Sequence, residues 1–275
     1  MLIWLVLIPL IAAALIGLCK APARPTALLS ASLTLALGIW ALVSFDGCSS
    51  CWSRFEGMDL QLTLAPALSK VMLLLTILVT FATVLGTNPP QGGEASWYNS
   101  ALLISAGATG AFLSDNIISF FAFHELALIP TFVMIGLYGR GDRRTTAWRA
   151  TLYLGLASMV LLAALLMIGT QAGFTFSGLK YFMASGRELA HAELIGALLI
   201  AGFGTLISLF PFHSWAAPAY ASAPAPVAMM HAGVLKKFGL YGLFMFQPLM
   251  ETGFLPWTNI LLVLLVVAFM VRGSL

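Results

Sequence analysis

The chain has 275 residues, of which 60% are hydrophobic and 8% charged, with a mean hydropathy of +0.98. Soluble domains carry about 25% charged residues, so a water-soluble globule is excluded and an integral membrane protein is expected. The net charge of +3 leaves no basic footprint for nucleic acid.

A membrane-spanning helix needs about 20 mostly apolar residues. About nine runs qualify: 1–19, 26–44, 64–86, 99–114, 116–138, 148–170, 193–212, 226–247 and 256–271. They are continuous, unlike the alternating segments of a closed barrel. The expected fold class is therefore all-α, a polytopic transmembrane helix bundle of about nine spans with a proline-broken seventh helix. The first run lacks a basic leader and a small-residue cleavage site, so it reads as a span and not as a removed signal peptide.

Loops after odd-numbered spans, with the C-terminal end, hold Lys20, Arg24, Arg140, Arg143, Arg144 and Arg272, and Arg149 opens a span. Loops after even-numbered spans hold Arg54, Lys180 and Arg187. This bias predicts an N-terminus outside and a C-terminus inside. In the loop after span two, Cys48 and Cys51 form a "CSSC" stretch. Two thiols are too few for a four-ligand structural zinc site, and a small surface disulfide or two idle thiols is expected. Without a Gly-rich phosphate loop, a haem-attachment motif or iron–sulfur spacing, the chain is expected to bind no redox cofactor.

Further along, Lys70 lies early in span three, where it can reach the interface or the interior. Asp115 precedes span five in "FLSDNIISFF" and reads as its N-cap. Span five contains "FFAFHELALIP", residues 120–130, in which Glu125 is the full charge, flanked by His124 and followed by Pro130. An ionised carboxylate at mid-bilayer costs several kcal/mol, and such residues mark an ion path or a pair. The "GRGDRR" run, 139–144, reads as an inner-side charge cluster.

Span seven, "LIGALLIAGFGTLISLFPFHSW", contains Pro211, which cannot donate to the carbonyl of Ile207. Non-helical backbone at membrane depth is tolerated where it is buried in protein or lines a wet cavity, so a broken helix beside such a cavity is expected. Pro130 likewise leaves the carbonyl of Leu126 free, next to Glu125. Span eight, "VAMMHAGVLKKFGLYGLFMF", carries His231 and the adjacent Lys236 and Lys237. Successive helix residues point about 100° apart, so the two lysines cannot face one groove. Two readings stand: a static salt bridge between Glu125 and a span-eight lysine, or a proton path through Glu125, the lysines and the histidines. Histidine titrates near pH 6.5, and His124, His213 and His231 are either relays or packing residues.

The stretch "FLSDNIISFFAFHELALIPTF", the Pro–Phe–His–Ser–Trp segment 211–215 and "APAPVAMMHAGVLKKFGLYGL" together resemble the antiporter-like membrane subunits of respiratory complex I, nearest to the subunit M (chain 4) type. The resemblance covers roughly residues 60–275. It implies a larger protein with two inverted five-helix repeats, each forming half of a proton path. On that pattern, residues 1–98 are N-terminal transmembrane helices, 99–250 the first antiporter-like repeat and 251–275 the start of an incomplete second repeat. Glu125 falls on the family's span-five glutamate, Lys237 on its span-eight lysine and His213 on the histidine of its Pro–x–His–x–Trp stretch. Lys236 falls where the family has an apolar residue, and the family's span-seven lysine falls at Leu206, so Lys236 or a histidine is expected to substitute. The chain ends after span nine, which fits a truncated gene, one half of a split gene or a partial sequence.

The resemblance implies a proton-translocating, non-redox membrane subunit of NADH:quinone oxidoreductase, with no catalytic chemistry of its own. The expected proton path is Glu125, Lys237, Lys236, His213, His231 and His124. NADH, FMN, iron–sulfur clusters and quinone are expected in partner subunits, and the implied partners are other membrane subunits of complex I and the lipid bilayer. The alternatives are a subunit of an Mrp-type Na⁺/H⁺ antiporter, a membrane subunit of an energy-conserving hydrogenase and a non-functional membrane fragment.

Overall fold

The computed structural model of the chain describes residues 1–44, 49–55, 58–89, 92–247 and 249. In chain order it contains α1 (Leu2–Gly17), α2 (Ala23–Ser44), an antiparallel hairpin of β1 (Ser49–Phe55) and β2 (Met58–Thr63), α3 (Ala67–Gly86) and α4 (Glu94–Leu113). Then follow α5 (Ile117–Tyr138), α6 (Arg143–Ala172), α7 (Phe176–Ala184), α8 (Ala192–Leu206), α9 (Ala216–Ser222), α10 (Ala225–Met230), a π-helical turn (His231–Leu235) and α11 (Lys236–Met245). Among the described residues, α2, α3, α5 and α6 are long and apolar enough to cross a bilayer, and α1 and α8 are shorter apolar helices. The expected ninth span, 256–271, and the Cys48–Cys51 pairing lie outside the described residues.

Helices in a bilayer gain little from hiding apolar side chains from lipid, so they associate through close packing, and small residues favour it. The sequence of α4, "EASWYNSALLISAGATGAFL", is rich in such residues, and it sits at the centre of the bundle against α1, α2, α3 and α5. Its residues Ile104 to Leu113 are all buried. A Cβ on Gly107 would lie 2.6 Å from the carbonyl oxygen of Phe123 on α5, and one on Gly110 would lie 2.5 Å from the Phe123 ring. These two glycines let α5 approach closely, next to His124 and Glu125. On the hairpin side of α4, rings from four helices meet. Phe112 stacks on Phe238 at 4.9 Å, Phe120 on Tyr241 at 5.8 Å, and Phe203 lies 5.9 Å from Phe246.

Several boundaries depart from the hydropathy pattern. The fourth helix starts at Glu94, before the apolar run expected from 99, because its polar first turn adds no hydropathy. The sixth, at 30 residues, spans about 45 Å, longer than the roughly 30 Å hydrocarbon core. Its extra first turn is capped by Asp142, which accepts from Thr145 N–H. A hairpin occupies what reads as a loop after span two. Its Leu62 is buried with Leu2, Leu5 and Leu113, and Gln61 accepts from Asp115 N–H. A short strand gives no long apolar run, so the hydropathy pattern passes over it.

Asp115 is not the cap of α5, as expected from sequence. Asn116 fills that place, its Oδ1 accepting from Ile118 N–H at 2.9 Å and Ser119 N–H at 3.0 Å. The Asp115 carboxylate turns instead to α7, accepting from Ser177 Oγ at 2.8 and 2.9 Å and from Ser177 N–H at 3.2 Å. Two adjacent cap-forming residues leave sequence unable to choose between them. The contact with α7 decides.

Candidate functional site

Glu125 lies eight residues into α5, about 12 Å along its axis. Its carboxylate accepts a hydrogen bond from Ser158 Oγ on α6, and Oε1 lies 3.3 Å from Nδ1 of His124. That histidine contact is a proximity without hydrogen-bond alignment, because both ring nitrogens of His124 are buried without a hydrogen-bond partner. Ser158 is placed by a second close approach, since a Cβ on Gly202 of α8 would lie 2.9 Å from Leu161 Cβ on α6. While His124 is 1% exposed, Glu125 is 34% exposed and borders a cavity of about 160 Å³ between α5 and α6. Thr131, Thr151 and a mostly apolar wall complete it. Among the described residues, the ion-pair neighbour of Glu125 is His124 and not a lysine. The direct bridge to a span-eight lysine, one of the two readings from sequence, is absent among them.

Lys236, with Lys237 next to it in the chain, belongs to a second group. The helix reaching them is interrupted by the π-helical turn, in which Lys236 N–H bonds the carbonyl of His231. In a regular α-helix, residues five apart point about 140° apart. A π turn closes its hydrogen bond between such residues and so swings Lys236 towards the face of His231. Tyr220 of α9 meets both. Its hydroxyl lies 3.1 Å from His231 Nδ1, and Lys236 Nζ sits over its ring, 4.8 Å from the centroid. Trp215 flanks the group, 5.5 Å from the His231 ring and 6.0 Å from Lys236 Nζ. Nε2 of His231 is buried without a partner. Lys237, partly buried, occupies the next position of α11. It precedes Phe238, whose ring lies edge-on to His124 at 5.1 Å.

Irregular backbone supports the second group. Helix α8 ends at Leu206, and the chain leaves the helix before reaching Pro211. Ser208 takes a left-handed φ of +61° and the Phe210–Pro211 peptide is cis. The freed helix-end carbonyls are satisfied: Gly204 accepts from Leu209 N–H at 2.7 Å and Thr205 from Trp215 Nε1–H at 3.1 Å. Ser214 Oγ donates to Tyr153 of α6 at 2.8 Å, tying the segment to the bundle. His213 lies in this segment, its ring 5.5 Å from that of Phe210.

The structure thus joins His124 to Glu125, and His231 to Lys236 through Tyr220. The Glu125–Ser158 pair and the Tyr220–His231–Lys236 group share no hydrogen bond or ion pair. Ile135 of α5 lines both the Glu125 cavity and a tight space beside Tyr220 and His231. Tyr220 and Ser158 were missed from sequence because a tyrosine in "PAYAS" and a serine in "GLASMVLL" carry no pattern by themselves. Among the described residues, no three His, Cys, Asp or Glu side chains cluster as a metal site.

Residues 114–275 match the NADH:quinone oxidoreductase/Mrp antiporter, TM family. A chain 4 of NAD(P)H-quinone oxidoreductase from Microcystis aeruginosa is 33% identical over 178 residues, 64% of this chain and 32% of the relative. One from Synechococcus sp. is 32% identical over 200 residues, 70% of this chain and 35% of the relative. The chain therefore spans about a third of the length of these curated relatives. In structure it resembles a chain of respiratory complex I from Thermus thermophilus with bound NADH. There the TM-score is 0.79 at 26% identity, covering 92% of this chain and 54% of that one. A chain of the membrane-bound sulfane sulfur reductase, an archaeal respiratory membrane complex, gives 0.77 at 26% identity, covering 90% and 41%. A chain of the Mrp complex from Dietzia sp. shares the fold, with a TM-score of 0.76 at 23% identity over 92% of this chain and 28% of that one. With more than half of its length matched, the chain belongs to the NADH:quinone oxidoreductase/Mrp antiporter transmembrane family.

Proposed function

We propose that this chain is a proton-translocating membrane subunit of an NADH:quinone oxidoreductase, of the chain 4 type, carrying the first of two half-paths. The observation that carries this reading is Glu125. A carboxylate stands within a bilayer-length helix, with a serine of the next helix donating to it and a buried histidine 3.3 Å away, and with no lysine or arginine paired to it among the described residues. A static charge at that depth is best stabilised by an opposite charge. A carboxylate beside a cavity, with no lysine or arginine paired to it among the described residues, can instead take up and release a proton. The partnerless nitrogens of His124 and His231 fit this reading, because each buried, unsatisfied polar atom calls for a water or a functional role.

On this reading protons pass along Glu125, His124, His231, Lys236 and Lys237, with His213 at the broken segment. Ile135 is an apolar barrier between the two groups, and water entering around it connects them. The carbonyl of Leu126, which Pro130 cannot serve inside the continuous α5, offers an acceptor to that water. Residues 99–250 form the first repeat of a bundle of about nine spans, with the Lys- and Arg-rich loops inside and the N-terminus outside a bacterial plasma membrane. The chain performs no redox chemistry. NADH, FMN, iron–sulfur clusters and quinone reside in partner subunits, whose redox steps drive the protonation changes here. The fold shared with an Mrp complex chain favours Na⁺/H⁺ exchange as the second reading, and Na⁺-dependent proton movement without NADH would select it.

The test is Glu125→Gln, which keeps the volume but cannot titrate. In vesicles, assembled complex is expected to remain near normal while NADH-driven proton uptake per complex falls at least a hundredfold, the lower range for losing a proton-transfer group. Normal uptake per complex would return Glu125 to a structural role.

A further inference from the structure

We propose that Tyr220 is a positioning residue of this path, fixing which nitrogen of His231 exchanges protons and holding the ammonium of Lys236 beside it. The inference rests on the proton-path reading of the same site and adds a residue that the family pattern does not supply.

Three observations converge on Tyr220. The first is tautomer control. In neutral histidine one ring nitrogen donates and the other accepts, and the hydrogen bond made by one sets the state of the other. The Tyr220 hydroxyl engages Nδ1 at 3.1 Å, so the partnerless Nε2 is the nitrogen left to exchange. The second is the cation on the same ring. Lys236 Nζ sits 4.8 Å from the Tyr220 centroid, within the range in which an ammonium is attracted to an aromatic face. One side chain therefore sets both the histidine's orientation and the lysine's position. The third is backbone. The π-helical turn at His231–Leu235 carries Lys236 towards the His231 face, and π-bulges concentrate at functional sites. Tyr220 itself stands on a short helix anchored at the Arg140 corner, where Ser222 Oγ donates to the Arg140 carbonyl at 2.8 Å. Ile135, Ala219, Ala223 and His231 close tightly around its side chain.

The arrangement makes position the controlled quantity. Moving Lys236 off the ring changes the electrostatic field at His231 while the hydroxyl keeps the same nitrogen presented. No bond other than that to the proton changes: with Nδ1–H donating to the Tyr220 oxygen, Nε2 accepts a proton when it faces water and returns it when the ammonium draws near.

Two variants separate the hydroxyl from the ring. Tyr220→Phe keeps the ring under Lys236 and removes the hydrogen bond to His231, while Tyr220→Leu removes both. In vesicles carrying the assembled complex, Tyr220→Phe should lower NADH-driven proton uptake per complex roughly tenfold, the order of one hydrogen bond's contribution, and Tyr220→Leu should lower it further. Because the hydroxyl acts through His231, adding Tyr220→Phe to His231→Ala should cause no further loss, whereas a packing role would add its own. Normal uptake in Tyr220→Phe alongside failure of Glu125→Gln would overturn the proposal and leave the proton path standing. Normal uptake in both would remove the path itself. Additive loss in the double variant, or failure of Tyr220→Phe to assemble, would make Tyr220 a structural residue and overturn the proposal.

Discussion

Glu125 and Lys236 lie at similar depth from the hairpin side of the bundle, yet the chain puts them on backbone of opposite character. From its hairpin-side end, each helix runs about 12–14 Å to its charge. Helix α5 is continuous from Ile117 to Tyr138 even through Pro130, and packs tightly on the glycines of α4. Around Lys236 the chain instead uses a helix end, the short α9 and a π turn. On the proposed reading the contrast separates two jobs. A carboxylate on a rigid helix is a fixed station whose environment comes from neighbouring side chains. A lysine on irregular backbone has a position that small backbone changes can reset, because π turns and helix ends can be rearranged without breaking a long hydrogen-bond ladder.

The largest expected effect attacks the rigid half. Gly107→Val would place a branched side chain against the Phe123 carbonyl, which a Cβ alone approaches to 2.6 Å. Overpacking typically costs about 1–3 kcal/mol, and backbone cannot rotate away as a side chain can. Assembled complex, measured in native gels or by size-exclusion chromatography, should fall to a small fraction of wild type. Gly110→Ala, opposed by a ring that can turn, should be milder. Wild-type assembly of Gly107→Val would mean that α5 is not held rigidly and would erase the contrast.

Next come the two lysines. On the proposed reading Lys237 takes the place of the family's span-eight lysine, while Lys236 rests on Tyr220. Lys237→Ala should abolish proton uptake, and Lys236→Ala should reduce it about tenfold, in line with loss of one positioned charge near His231. A greater loss at Lys236 would show that the π turn delivers the path lysine itself and that the family register does not carry over here.

How much of this was legible in the sequence differs between the halves. Long apolar helices announced α2, α3, α5 and α6, and the isolated Glu125 announced itself as a charge where charge is costly. The site residues His124, His231 and Lys236 were visible for the same reason. Their grouping was not. Hydropathy cannot detect a π turn, because inserting one residue's worth of rotation changes no side chain. It does, however, change which side chains share a face, and the five-residue spacing of His231 and Lys236 looks unhelpful on a regular helix. The hairpin at 49–63 and the short α7 escaped because neither is long enough to span. Asp115 misled because two cap-forming residues stood side by side, and only the contact with Ser177 separates them.

The smallest expected effect tests the fixed station from its own side. Ser158 is fully buried and donates to Glu125, so Ser158→Ala removes one hydrogen bond from the charged form while leaving the helix packing almost unchanged. Hydrogen bonds to charged groups contribute about 1.5–3 kcal/mol when fully formed, but the carboxylate is partly open to its cavity and water can replace much of the loss. Proton uptake per complex should therefore drop only about fivefold, with assembly unchanged. The rate is expected to fall because the charged carboxylate is less well held, not because a path member is gone. If Ser158→Ala proved as severe as Glu125→Gln, the hydroxyl would itself carry the proton, and the station on α5 would be a Glu125–Ser158 pair in place of a single carboxylate.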